Sequence, residues 1–127
     1  FPGNPSSPHR IGTRADAALE QARAKLAGWL GCSPLEIVWT SGATESANLA
    51  LHHFSRTLPE SSEVWTSETE HPCVLTTVKR LFRSRVRIVP VRKDGTIDRQ
   101  WLEERLRRVR PGLLAIMAAN NETGVLQ

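Results

Sequence analysis

Ile37-Val38-Trp39-Thr40-Ser41-Gly42-Ala43-Thr44-Glu45-Ser46 decides the fold: a short apolar run stops at a glycine and a cluster of hydroxyls, and helical spacing begins. β-Branched and aromatic residues predict a short buried strand over 37–39. From about Ala43 to Arg56, Ala47, Ala50, Leu51 and Phe54 recur on one face of a helix, which is expected to stop before Pro59. The first turn of a helix leaves backbone N–H groups unpaired, and Gly42 admits an anion to them without a Cβ in the way. Thr44 adds a hydroxyl donor. Ser, Thr and Gly are equally the ordinary residues for capping a helix, so on these residues alone a phosphate seat and a plain cap both stand.

Upstream, Leu19, Ala22, Leu26, Trp29 and Leu30 predict a helix over 14–30 ended by Gly31, and Ser33-Pro34-Leu35-Glu36 has the form of a capping box around a single turn. Downstream, a strand near Val64 to Thr66 runs into Glu68-Thr69-Glu70-His71-Pro72, with Pro72 opening a helix that carries Val74, Leu75, Val78 and Leu81. Val86, Ile88 and Val89 predict a third strand, closed by the turn Lys93-Asp94-Gly95-Thr96, and Asp98 caps a helix bearing Trp101, Leu102, Leu106 and Val109. The last strand, Leu113 to Ala118, is apolar throughout and is expected to be buried on both faces.

Alternating strand and helix predict an α/β architecture of three layers, a mainly parallel sheet with helices on both faces. Ligands of such sheets bind at the carboxyl ends of the strands. Three predicted strand ends carry polar residues: Ser41 to Thr44, Glu70-His71, and Asn120-Asn121-Glu122-Thr123.

Composition narrows the function classes. The 127 residues suit one domain, and no apolar run approaches the roughly 20 residues that span a bilayer. Phe1-Pro2-Gly3-Asn4-Pro5 lacks the charged and apolar regions of a signal peptide, so a cytoplasmic protein with no membrane partner is expected. Cys32 and Cys73 form no metal-ligand spacing with the four histidines, and reduced thiols are expected. The net charge of +4 comes largely from two basic groups, Arg83 to Lys93 and Arg105 to Arg110, within neither of which an aromatic residue interleaves as a stacking platform; direct DNA binding is not expected.

Taken together the motifs resemble the pyridoxal-phosphate cysteine desulfurases of the class V aminotransferase superfamily, over the whole chain. Gly3-Asn4-Pro5-Ser6-Ser7-Pro8-His9 is similar to the family's G-N-P-S-S-x-H, residues 40–46 to its T-S-G-A-T-E-S, Glu70-His71-Pro72 to its E-H-P, and Asn120-Asn121-Glu122-Thr123-Gly124 to its N-N-E-T-G. The resemblance implies that 1–127 form part of the large, cofactor-binding domain of a fold-type I enzyme, with 1–13 as an N-terminal segment and 14–127 as helix and strand units. It implies pyridoxal 5'-phosphate as cofactor, its phosphate held by Ala43 and Thr44. His71 would stack on the pyridine ring and assist proton transfer; otherwise it is a histidine capping a helix. Asn121 would hydrogen-bond the phenolic oxygen, with the register of the motif choosing it over Asn120. His9 would stand at the rim of the site. His52 and His53 are expected to be exposed, Glu45 and Glu70 to cap or pair locally, and Cys73 to be a small buried thiol.

The implied reaction removes sulfur from L-cysteine, giving L-alanine and an enzyme persulfide for a sulfur-acceptor protein such as an iron–sulfur scaffold, in a homodimer. Lys25, Lys79 and Lys93 match no Schiff-base motif, and the family's lysine and nucleophilic cysteine would come after Gln127. The chain is therefore expected to be a piece of the enzyme, inactive and poorly stable alone. A selenocysteine lyase or another class V enzyme shares the cofactor motifs. A non-catalytic phosphate-ligand module would keep the seat alone, but residues 40–46 lack G-x-G-x-x-G spacing and no P-loop lysine follows.

Overall fold

The computed structural model describes residues 3–127; Phe1 and Pro2, which open the signal-peptide reading, lie outside the described residues. The chain divides into two compact units, residues 1–39 and 40–127.

The first unit is built on α1 (Arg10–Leu30), which starts four residues earlier than periodicity predicts because His9 caps it, its Nδ1 accepting from Gly12 N at 3.1 Å. Gly31, with φ of 68°, ends the helix in the left-handed conformation that favours glycine. A single 3-10 turn at Pro34–Glu36 follows, and the expected capping box is present: Ser33 Oγ accepts from Leu35 N, and Glu36 Oε2 from Ser33 N at 2.7 Å. The predicted strand over 37–39 does not form. Ile37 is extended, but 37–39 pair with no other strand among the described residues, and Val38 is 65% exposed. The run has strand-forming side chains and no ladder to join. The Arg23 guanidinium donates to Ile37 O and stacks over the Trp39 ring at 5.7 Å.

The second unit holds a three-stranded parallel sheet in the order β2 (Val86–Val89), β1 (Val64–Ser67), β3 (Leu113–Ala115). Successive side chains of β1 point to opposite faces. Val64 packs with Leu51 of α2 (Ala43–Thr57) and with Val78 and Phe82 of α3 (Pro72–Phe82) in the main core. Trp65, on the other face, meets Trp101 of α4 (Arg99–Leu106) edge to face at 5.9 Å. The sheet is thus covered by α2 and α3 on one side and by α4 on the other, the expected layering. All four residues of β1 are buried.

Two predicted elements are shorter than expected. Helix α4 ends at Leu106, leaving Val109 outside, because Arg110 precedes Pro111 and the helical conformation is disfavoured there. Strand β3 ends at Ala115, and Leu114 is 43% exposed rather than buried on both faces. Its ladder to β1 stops at Thr66–Ala115, and the chain then turns back on itself: Asn120 N donates to Val125 O and Gln127 N to Ala118 O.

Two of the arginines in the basic second half converge on one acid. Glu63 accepts from Trp65 Nε1 at 2.8 Å and from Arg105 Nη2 at 3.1 Å and forms an ion pair with Arg87 Nε at 3.0 Å, tying β1 to β2 and α4. The Trp65 indole N–H, then the two guanidinium groups, hold its carboxyl below the usual carboxylate range. Among the described residues no helix is long and apolar enough to cross a membrane.

Candidate functional site

Helix α2 begins in an unusual way. Its first backbone bond is Ser46 N to Gly42 O at 3.1 Å, and no side chain caps it. The N–H groups of Ala43, Thr44 and Glu45 therefore remain as donors. A Cβ built on Gly42 would meet no atom within 4 Å, so the space beside these donors is open. Thr40 Oγ1 holds the turn from inside, 2.6 Å from Ser46 Oγ and 3.2 Å from Gly42 O. Glu45 turns back outside it, Oε2 accepting from Ser41 N at 2.7 Å and Ser41 Oγ at 2.6 Å. Those two bonds, side chain first, lower its carboxyl below the usual range.

Asn48 anchors the helix one turn further on, Nδ2 donating to Thr44 O at 2.8 Å and Oδ1 accepting from Thr77 Oγ1 of α3 at 3.2 Å. Helix α3 starts where β1 delivers the chain, and His71 is its cap, Nδ1 accepting from Cys73 N at 3.1 Å. Past β3, Asn120 forms the turn: Oδ1 accepts from both Glu122 N and Thr123 N at 2.9 Å.

Ala43, Thr44, His71 and Asn121 all line one groove of about 800 Å³, with Cys73 and Met117 beside them. The start of α2, the connection from β1 to α3 and the turn that follows β3 are thereby brought together beside the carboxyl ends of β1 and β3. His71 caps α3 and also lines the groove. Cys73 is half-buried rather than enclosed, since its place in the first turn of α3 opens it to the groove. His53 is exposed as expected, whereas His52, next to the buried Leu51, is half-buried. His9 has its work in the cap of α1. Glu45 pairs locally, and so does Glu70, whose Oε1 accepts from Ser67 Oγ three positions back, but the same oxygen also accepts from Met117 N, 47 positions away. No local pattern marks so distant a partner; only the burial of a carboxylate does.

A family model, aminotransferase class-V, matches residues 1–127. The chain belongs to the class-V aminotransferase family. Among relatives of this class-V chain, a mitochondrial cysteine desulfurase of Arabidopsis thaliana is 42% identical over 98% of the chain. A solved structure described as a NifS-like protein superposes with a TM-score of 0.78 at 40% identity, and SspA in complex with cysteine with 0.78 at 38%, each over 98% of the chain. The fold is therefore that of the NifS-like enzymes. The chain spans 28% of the Arabidopsis protein and 35% and 36% of the two structures.

The donor set suits pyridoxal phosphate. Three unpaired N–H groups and a hydroxyl at a helix start suit a phosphate, and an imidazole and a carboxamide on the facing connections suit a polar aromatic ring. Lys25, Lys79 and Lys93 are not among the residues that line the groove.

Proposed function

We propose that this chain is the cofactor-seating part of a pyridoxal-phosphate-dependent cysteine desulfurase, which takes sulfur from L-cysteine and leaves L-alanine and an enzyme persulfide. The observation that carries the reading is the meeting of the bare start of α2, His71 and Asn121 in one groove. Relatives named cysteine desulfurase at about 40% identity, and a similar protein solved in complex with cysteine, support the substrate.

The N–H groups of Ala43, Thr44 and Glu45 and the Thr44 hydroxyl would hold the phosphate, with the α2 dipole favouring the anion. The bound pyridoxal ring supplies an electron sink for chemistry at the α-carbon of an amino acid. With Nδ1 accepting from Cys73 N, a neutral imidazole of His71 carries its proton on Nε2, the atom that would exchange a proton beside the bound ring. Asn121 would offer its carboxamide to the phenolic oxygen without adding charge. The nucleophilic thiolate and the Schiff-base lysine would be supplied by segments other than Cys32, Cys73 and the three lysines of this sequence. The homodimer, the sulfur-acceptor protein and a cytoplasmic location belong to the same proposal.

The test uses the full-length protein. Adding pyridoxal phosphate is expected to give a visible absorption band, and adding L-cysteine to release L-alanine in step with sulfide under reducing conditions. A protein that takes up no cofactor sinks the reading; one that takes it up and releases no alanine sinks the substrate.

A further inference from the structure

Glu70 has no part in the chemistry above, yet it is buried (8% exposed) among the connections that form the groove. Its Oε1 accepts from Ser67 Oγ at 2.8 Å and from Met117 N at 2.6 Å. Asn120 makes a second tie nearby, Nδ2 donating to Thr69 O at 3.3 Å. The ladder between β1 and β3 has already ended at Thr66 and Ala115, so beyond it these two ties link the connections. Glu70, itself on the groove wall, stands one residue before His71, and Asn120, behind the wall, one residue before Asn121.

We infer that Glu70 is a positioning residue, and that its carboxylate, with the Asn120 tie, fixes the separation of His71 from Asn121 across the groove. This rests on the cofactor reading above. The phosphate seat on α2 makes no hydrogen bond to Glu70, so loss of the tie leaves the seat intact and moves the ring contacts. A buried carboxylate taking a backbone N–H at 2.6 Å is a stiff link. Misplacing a catalytic group by about 1 Å costs on the order of 100-fold in rate.

The experiment compares Glu70→Leu, Glu70→Asp and Glu70→Gln in the full-length protein by cofactor affinity, position of the visible band, kcat and KM, and exchange protection of the Met117 amide without cofactor. Glu70→Leu is expected to hold pyridoxal phosphate, shift its band, lose protection at Met117 and lose kcat roughly 100-fold with a smaller change in KM. Glu70→Asp, a methylene too short to reach both donors, is expected to fall in the same direction and decides the matter if Glu70→Leu does not fold. Glu70→Gln, which keeps the length and an acceptor oxygen, is expected to restore the band, the protection and most of kcat. A wild-type band and kcat in Glu70→Leu or Glu70→Asp with Met117 unprotected overturn the inference. So does a Glu70→Gln enzyme as defective as Glu70→Leu while Met117 stays protected. A wild-type protein with no visible band overturns the cofactor reading and this inference with it, even where Met117 protection still reports the tie.

Discussion

Helices α2 and α3 both begin at the groove, and they are finished in opposite ways. In α3 the first turn has nothing left to give: Pro72 has no N–H, Cys73 N goes to His71 Nδ1, and Val74 N and Leu75 N both go to His71 O. In α2 the N–H groups of Ala43, Thr44 and Glu45 are free, and its one acidic side chain is turned back onto Ser41. One helix start is closed and presents a ring, the other is open and presents donors. A site for a phosphorylated aromatic ring needs one of each.

The comparison breaks most sharply at His71, where capping and chemistry share one side chain. His71→Ala removes both, and is expected to cost about 1 kcal/mol of stability for the cap and roughly 100- to 10,000-fold in turnover for the proton carrier. His71→Asn restores an N-cap and no ring, so its thermal midpoint is expected near wild type with turnover still lost. Recovery of turnover in the Asn variant would reduce His71 to a cap.

On the open side, Ala43→Asp sharpens the contrast. A carboxylate in the first turn suits the helix dipole, so the thermal midpoint is expected to hold or rise slightly. The same charge a few Å from the seat repels a phosphate by roughly 2–3 kcal/mol, or about 100-fold in affinity. Titration with pyridoxal phosphate reads this directly, and unchanged affinity would mean that the phosphate binds elsewhere.

The difference between the two helix starts was only partly legible in the sequence. Pro72 after His71 announces the closed start from local chemistry alone, whereas Gly42 before Ala43 leaves an open seat and a plain cap both standing. The alternation of elements likewise foretold the parallel sheet and its groove, because each βα connection follows from short-range signals. Strand partners are not short-range. Val64-Trp65-Thr66 and Ile37-Val38-Trp39 read alike, yet the first is the buried centre of a sheet and the second pairs with no strand among the described residues, since a strand exists only where another offers its ladder. The same blindness hid the partner of Glu70 and the early end of β3. Adjacent Asn120 and Asn121 show the limit within the site: residue type cannot separate them, the register of the motif chose Asn121, and Asn121 lines the groove while Asn120 makes the turn.

The smallest effect belongs to Glu45, and it tests why an acidic residue is tolerated at an anion seat. Its carboxyl is held below the usual range by Ser41 Oγ and then Ser41 N, so the sign follows: the bonds are fully present above the ordinary carboxyl value of roughly 4.3, and are lost as pH falls through the depressed value. The protection factor of the Ser41 amide is expected to stay level from neutral pH to about pH 5, then fall in more acidic solution, while Glu45→Gln shows no such step. A level wild-type profile down to pH 3 would detach the carboxylate from Ser41. Where the step is found, the consequence reaches the groove. A first-turn carboxylate left free would compete for the donors of its own helix. Engaged by Ser41, it keeps the α2 loop closed and leaves the N–H groups of Ala43, Thr44 and Glu45 for an anion.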